Sequence, residues 1–125
     1  MILGLGIDII SIDRIGESIE KLGQHFMDKV FTPGEQEYCA QRANSLESLA
    51  ARFSVKEAAF KALGRGWDEC GGFRSVEVVS DEKRRPGIVF HSHAKEFAEE
   101  LGVVNAHVSI SHHSGMSAAV VILEK

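Results

Sequence analysis

The sequence has few of the residues that crosslink small proteins. Its 125 residues include two cysteines, Cys39 and Cys70, which lie far apart and form no C-x-x-C pair. This pattern favours reduced structural thiols over a disulfide or a zinc site. No apolar run approaches the ~20 residues of a membrane span, and the start lacks the basic region and cleavage site of a signal peptide. We therefore expect a cytoplasmic protein without membrane contact.

Positive charge is also scarce. Fourteen Lys and Arg residues stand against 18 Asp and Glu residues, a formal net charge of -4. This balance removes any general case for nucleic acid or an anionic membrane as a partner, so a basic surface must be local. With 44% hydrophobic residues, the chain can bury one core but hardly two. No repeat, linker or low-complexity tract divides it, and we predict a single domain over residues 1–125.

The opening segment, residues 1–10, is an apolar run interrupted by Gly4, Gly6 and Asp8. Burying an unpaired carboxylate is expensive, so Asp8 should face a cation, a metal or a cluster of donors, unless the strand ends there and it is solvated. A dinucleotide-binding fingerprint would need its third glycine at position 9, which is isoleucine. That alternative fails.

A second informative segment runs from Arg52 to Lys61. On a helix it places Glu57 and Lys61 one turn apart on one face, as in an exposed salt bridge or a metal-phosphate site. Surrounding alanines make the helix closely packable. The segment runs into Gly64-Arg65-Gly66, where the first glycine can adopt the left-handed cap and where we expect free backbone amides that suit a phosphate.

Periodicity and turn residues predict an α+β fold. The opening strand should lead into a helix from Ser11 toward Val30, with Gly16 and Gly23 as weak points. A capping box at residues 32–35 begins a short helix, and a long central helix runs from about Leu46 to Leu63. Further strands are expected at 76–79 and 88–90, a helix at 93–101, and two final strands meeting around residues 114–115. Short turns between strands favour an antiparallel sheet packed against the helices.

The residues alone already suggest phosphate chemistry. Asp8 and Glu57 are hard oxygen ligands suited to magnesium, which commonly binds through one or two carboxylates plus substrate phosphates. Lys61 and the amides near Gly64 and Gly66 would hold the remaining phosphate oxygens. The nucleophile stays open at this point, because so small a motif could also serve a hydrolase acting on pyrophosphates.

Gly6-Ile7-Asp8, followed by Phe53-Ser54-Val55-Lys56-Glu57-Ala58-Ala59-Phe60-Lys61, resembles the paired signature of the phosphopantetheinyl transferases, in particular the small holo-acyl-carrier-protein synthase type. The similarity extends over essentially the whole chain. It implies transfer of 4′-phosphopantetheine from coenzyme A to a serine of apo acyl carrier protein, with release of adenosine 3′,5′-bisphosphate, in support of fatty acid biosynthesis. It also implies magnesium dependence and a homotrimer with sites between subunits. The general base is either Glu57 or a metal-bound water.

The resemblance implies further site residues. Arg14 corresponds to the arginine that meets the acidic helix of the carrier protein, or else is a solvated helix charge. Arg52 and His107 are expected at the nucleotide phosphates, although His107 could equally be a hydrogen-bonded structural histidine. Gly64, Gly66 and Pro86 are expected beside coenzyme A.

No role is assigned to the four other histidines in the second half of the chain: His91, His93, His112 and His113. The range of carrier proteins and acyl-coenzyme A donors stays open, as do two other classes of protein. One is a metal-dependent phosphohydrolase, and the other is a non-catalytic module that binds coenzyme A.

Overall fold

The computed structural model describes residues 1–125 and confirms the α+β class. All paired strands are antiparallel. The elements, in chain order, are β1 (Ile2–Ser11), α1 (Ile12–Leu22), α2 (Gln24–Val30), α3 (Pro33–Ala40), α4 (Ser45–Leu63), a turn of 3-10 helix (Phe73–Ser75), β2 (Val76–Ser80), β3 (Pro86–Phe90), α5 (Ser92–Leu101), β4 (Asn105–His113) and β5 (Met116–Glu124).

The strands form two sheets. One has three strands in the order β1-β5-β4, and the other is the β2-β3 hairpin. The long helix α4 packs against the inner face of the three-stranded sheet, and its apolar side chains form the main core with residues of β2, α5 and β5. The predicted central helix is therefore present. Strands of both sheets and helix α5 contact α4.

The helix predicted from Ser11 to Val30 is divided in two. Helix α1 ends at Leu22 and α2 begins at Gln24, because Gly23 adopts a φ of 59°. Glycine reaches this left-handed region without the steric penalty of a Cβ. The Gly23 amide donates to the carbonyl of Ile19 at 2.7 Å and closes the first helix. The prediction of one continuous helix was wrong, although Gly23 was one of its two weak points.

Two glycines let strand β1 lie directly on helix α4. Alternation along the strand turns Gly4, Gly6 and Asp8 toward the helix. A Cβ on Gly6 would lie 1.8 Å from the carbonyl oxygen of Ala58, and one on Gly4 would lie 2.0 Å from that of Ala62. Neither position has room for a side chain. The glycines in the apolar run therefore set the close approach that brings Asp8 to α4.

The predicted capping chemistry is present at the start of α3 and at the end of α4, whereas the Ser11 side chain forms no hydrogen bond at the start of α1. At the start of α3, the Thr32 hydroxyl accepts from the Glu35 amide at 3.1 Å, and the Glu35 carboxylate accepts from the Thr32 amide at 2.8 Å. Helix α4 is capped by the Asn44 side chain and ends at Gly64, whose φ is 72°. No helix in the structure combines the length and apolar character that crossing a bilayer requires. Both cysteines are buried and free.

Candidate active site

The structure brings together Asp8, Glu57 and Lys61. Asp8 extends from the inner face of β1, and the Lys61 ammonium lies 3.3 Å from its Oδ1. The same ammonium donates to the carbonyl of Ile7 at 2.9 Å. Glu57 lies one turn before Lys61 on α4 and close enough to Asp8 for the two charges to interact. Two carboxylates and one ammonium thus meet where the strand crosses the helix.

The two carboxylates are held in an environment that disfavours their charge. Burial raises the pKa of Asp8, and the hydrogen bond and charge of Lys61 only partly oppose this. Burial also raises the pKa of Glu57, and the negative charge of Asp8 adds to the effect. Asp8 Oδ2 is buried and accepts no hydrogen bond. A divalent cation would supply the missing partner and relieve the repulsion between the carboxylates.

This donor set fits magnesium. The chain has no group of three or more His, Cys, Asp or Glu side chains that could enclose a metal ion. Magnesium does not need such a cage, because it keeps several waters and takes further oxygens from substrate phosphates. Asp8 and Glu57 are the residues that would hold it.

The loop after α4 differs from the sequence expectation. The amides of Gly64 and Arg65 donate to the carbonyls of Lys61 and Phe60, each at 3.1 Å, in the closure of the helix. The Gly66 amide donates to Glu69 Oε1, also at 3.1 Å. The expectation of free amides was wrong, because helix closure and the Glu69 carboxylate use all three donors. A phosphate could reach the Gly66 amide only if Glu69 moved.

Arg52 and Pro86 line one cavity of about 340 Å³, between the α3–α4 region and the β2–β3 turn. Arg42 and Arg84 also line it. The Arg52 side chain is largely buried, with its guanidinium carbon 4.1 Å from the centre of the Tyr38 ring. Its Nε is buried and donates no hydrogen bond. Three guanidinium groups around a polar cavity are suited to binding a phosphate.

The cavity lined by Arg42, Arg52 and Arg84, the arginine cavity, is separated in space from the two carboxylates. Asp8 pairs with Ala119, which pairs on its other side with Ile110, a residue of the cavity wall. Two strand spacings separate Asp8 from Ile110 by about 10 Å. On α4, Arg52 and Glu57 are separated by ~7.5 Å of rise and roughly 140° of rotation. Within one chain, the two groups therefore face different directions.

The structure places two of the three histidines of β4, His107 and His112, on opposite faces of the strand. His107 does not line the cavity, and its Nε2 lies 2.9 Å from Glu124 Oε1. His112 lines the cavity, with its Nε2 3.3 Å from Glu47. Sequence reasoning missed His112, although a signal was present: residues five apart on a strand point to opposite faces. Once the cavity lies on the inner face, His107 and His112 cannot both reach it within one chain.

Two other histidines, to which the sequence assigned no role, each lie beside a different carboxylate. His91 lies 3.0 Å from Glu77, and His93 lies 2.8 Å from Glu96.

Arg14 lies on α1 beside an apolar cavity of about 410 Å³. Ile9, which directly follows Asp8, lines this cavity together with Phe53 and Met116. The Arg14 side chain forms no ion pair within the chain. Its guanidinium is therefore available to a negatively charged partner.

Comparison with known proteins gives a consistent result over nearly the whole chain. The family model described as the 4′-phosphopantetheinyl transferase superfamily matches residues 4–121. A holo-[acyl-carrier-protein] synthase of Koribacter versatilis (strain Ellin345) is 44% identical over 124 residues, which cover 99% of each chain. The chain therefore belongs to the 4′-phosphopantetheinyl transferase superfamily, as its two motifs predicted.

Solved structures agree with this assignment. The crystal structure of holo-[acyl-carrier-protein] synthase from Neisseria meningitidis matches with a TM-score of 0.91 at 33% identity and covers 100% of both chains. The Helicobacter pylori enzyme in complex with coenzyme A matches with a TM-score of 0.84 at 30% identity, covering 96% of this chain and 99% of that one.

Proposed function

We propose that this chain, as one domain over residues 1–125, is a holo-acyl-carrier-protein synthase. It transfers 4′-phosphopantetheine from coenzyme A to a serine of apo acyl carrier protein, releases adenosine 3′,5′-bisphosphate, and so supports fatty acid biosynthesis. The observation that carries this proposal is the meeting of Asp8, Glu57 and Lys61 on a fold whose full-length relatives are named holo-acyl-carrier-protein synthases.

Asp8 and Glu57 hold magnesium in this proposal. When bound, the ion would offset negative charge on the reacting phosphoryl group. Lys61 is 55% exposed and uses two of its three N–H donors, on Asp8 and on the carbonyl of Ile7. Its third donor is available to a phosphate oxygen of coenzyme A. Lys61 thus links the carboxylates to the substrate.

Glu57 is the base that we assign to the acceptor serine. A glutamate carboxylate has two oxygens, so one can face the magnesium ion while the other accepts the proton. The serine proton passes to the Glu57 carboxylate as the serine oxygen bonds to the phosphorus of phosphopantetheine. The bond between that phosphorus and the oxygen of adenosine 3′,5′-bisphosphate breaks, and the bisphosphate leaves.

The arginine cavity is the proposed place of the nucleotide. Arg52 and Arg84 supply charge for its phosphates, and Pro86 forms part of the wall. Gly64 and Gly66 lie beside the phosphopantetheine arm, where Gly64 leaves open space around its Cα. His107 faces away from the cavity of its own chain, so it would reach a nucleotide only from a neighbouring subunit.

We further propose a homotrimer with its sites between subunits. The outer face of the three-stranded sheet carries the apolar side chains Leu5, Ile7 and Ile9, which are 59%, 58% and 64% exposed. Val120 and Ile122, their partners on β5, continue this face. Apolar surface of this extent is typical of subunit interfaces. Assembly would also join the carboxylates of one chain to the arginine cavity of the next.

Light scattering after size-exclusion chromatography tests the assembly. We expect about three times the 13.7 kDa of one chain, and a smaller particle for Ile7→Glu. Val104 is 72% exposed and lies outside this sheet, so Val104→Glu is the matched control and should keep the wild-type mass. A wild-type mass of 13.7 kDa would contradict the trimer.

The acyl carrier protein is proposed to dock at Arg14. The cavity next to it is apolar and is lined by Ile9, the residue after Asp8, so a partner with acidic and apolar side chains would be held with its serine near the carboxylates. We also propose a cytoplasmic location, supported by the two free, buried thiols, which suit a reducing compartment.

Intact-mass analysis of an apo acyl carrier protein tests the activity. After incubation with this protein, magnesium and coenzyme A, we expect the carrier to gain one phosphopantetheine. Excess chelator should abolish the gain, and added magnesium should restore it. An unmodified carrier with consumed coenzyme A would instead indicate a phosphohydrolase. Coenzyme A that binds without being consumed would indicate a binding module.

A further inference from the structure

Lys56 adjoins Glu57 in the sequence but points into the protein interior. Its side chain is completely buried, and its ammonium donates to Glu35 Oε1 at 2.8 Å, to the carbonyl of Phe73 at 3.2 Å and to the carbonyl of Val76. An ammonium group has three N–H donors, and all three are used here. Lys56 therefore cannot contact a substrate or exchange a proton with one.

Both oxygens of the Glu35 carboxylate also accept hydrogen bonds inside the protein. Besides the ion pair with Lys56, its Oε1 accepts from the Thr32 amide and its Oε2 accepts from the Val78 amide, both at 2.8 Å. The pair thus connects the start of α3, the middle of α4 and strand β2. No water or solvent-exposed group is needed to complete it.

Stability alone is a poor explanation for such a pair. Well-packed apolar residues can often replace a buried ion pair with little loss of stability, because removing two charges from water costs about as much as their attraction returns. A set of directional hydrogen bonds, however, fixes the orientation of the helix that carries it. Apolar packing against glycine sets the distance of a helix from a sheet but is less selective about its rotation.

The orientation of α4 matters because of the residue that follows. Successive residues on a helix are turned by roughly 100° about its axis. With Lys56 held against β2 and Glu35, Glu57 must leave the helix toward β1, where Asp8 lies. A small rotation of α4 would move Glu57 away from Asp8 while leaving the core filled.

We propose that Lys56 and Glu35 are positioning residues, whose buried ion pair fixes the rotation of α4 and thereby holds Glu57 beside Asp8. This inference rests on the proposed catalytic role of Glu57. The pair itself touches neither coenzyme A nor the carrier protein.

The decisive variant is the double substitution Lys56→Met with Glu35→Gln, which removes both charges at nearly constant side-chain size. We expect it to fold, with kcat for carrier modification reduced about 10- to 100-fold, as for a reacting group displaced by around an ångström. The KM for coenzyme A should change less than kcat, because Arg42 and Arg84 of the arginine cavity lie outside α4 and only Arg52 would move with it. A purely structural pair would leave kcat of the folded variant unchanged.

Two further variants control the comparison. Ala98→Gly weakens α5 without altering any polar contact of α4, so it should lower thermal stability and leave kcat unchanged below the transition. Glu35→Gln alone keeps Lys56 and one oxygen acceptor but leaves the buried ammonium without its counter-ion, so it should show the loss of kcat together with a lower stability than the double variant. If neither the double variant nor Glu35→Gln folds, the pair is structural and the inference is overturned.

The outcomes separate this inference from the proposed function. If the wild-type protein does not modify a carrier protein, the proposed function fails. If the wild type is active and Glu57→Gln is equally active, the role of Glu57 fails and the inference fails with it. If Glu57→Gln is inactive while the folded double variant retains the wild-type kcat, only the positioning inference is refuted.

Discussion

Replacing Gly6 by alanine should separate strand β1 from helix α4. The new Cβ would lie 1.8 Å from the carbonyl oxygen of Ala58 and 2.8 Å from the backbone nitrogen of Ala62. These atoms belong to the helix backbone and cannot rotate away as a side chain can. The strand must move by roughly 1.2 Å before the closest contact reaches even 3.0 Å, the lower limit seen for real Cβ atoms.

The size of the expected destabilisation follows from the fact that the new Cβ would meet only backbone atoms and no flexible side chain. Overpacking a core costs about 1–3 kcal/mol, and we expect the upper end here because only the backbone can yield. A loss of about 3 kcal/mol would lower the melting temperature by roughly 10 °C in a domain of this size. Asp8 follows two residues later on the same face of β1, so it should move away from Lys61 and Glu57. We expect a further loss of about 100-fold in kcat of the folded variant.

Urea unfolding without metal and carrier-modification kinetics below the transition test both parts. Gly16→Ala is the matched control, because its Cβ meets only the flexible side chain of Leu46, at 3.2 Å. Alanine is favoured over glycine within a helix by about 0.5–1 kcal/mol, so this control should be neutral or slightly stabilising. A Gly6→Ala variant as stable as the wild type would refute the reasoning about close packing. A destabilised variant with an unchanged kcat would refute the link to Asp8.

Two further predictions concern the charges of the site. Burial and Asp8 raise the pKa of Glu57 above 4.5, so the folded chain binds this proton more tightly than the unfolded chain, and stability falls as pH rises through the raised pKa. Glu57→Gln should therefore stabilise the metal-free protein at a pH above that raised pKa. The gain in stability should fade as the pH falls to 4.5. If urea unfolding shows a gain that does not depend on pH, the prediction is wrong. Arg14→Glu should raise the KM for the carrier protein, leave that for coenzyme A unchanged, and flatten the salt dependence of the rate. An equal rise in both KM values would instead make Arg14 a nucleotide contact.

Sequence periodicity predicted those features of the site that lie within a single strand or a single helix. Strand alternation and helical periodicity are enough to give Asp8 a distinct face and to put Glu57 and Lys61 on one side of α4. That the two elements meet was indicated by the isolated aspartate, which needs a cation or a metal beside it, whereas the close approach at the two glycines was not predicted. The structure supplied the nature of that neighbour: a helix backbone for Gly4 and Gly6, and an ammonium for Asp8.

The errors arose where contacts between distant segments decide the outcome. The loop amides were expected to be free, but Glu69 returns to the Gly66 amide, and helix closure uses those of Gly64 and Arg65. His107 was preferred to His112 on the family resemblance alone, although the alternation of Ala106, Val108 and Ile110 marks the face opposite His107 as the inner one. Glu35 was recognised only as part of a capping box. Its pairing with Lys56 joins residues 21 positions apart and cannot be read from local patterns.

Strand β1 connects the chemistry of the chain to its proposed assembly. Its inner face carries Gly4, Gly6 and Asp8, and its outer face carries the exposed apolar side chains of Leu5, Ile7 and Ile9. A strand has only these two faces, so the position of Asp8 and the surface offered to another subunit cannot vary independently. A shift of one residue in the pairing of β1 with β5 would put Asp8 into the subunit interface and an apolar side chain against α4. In the proposed trimer, the same register that buries the apolar face is therefore the one that presents Asp8 to Glu57 and Lys61.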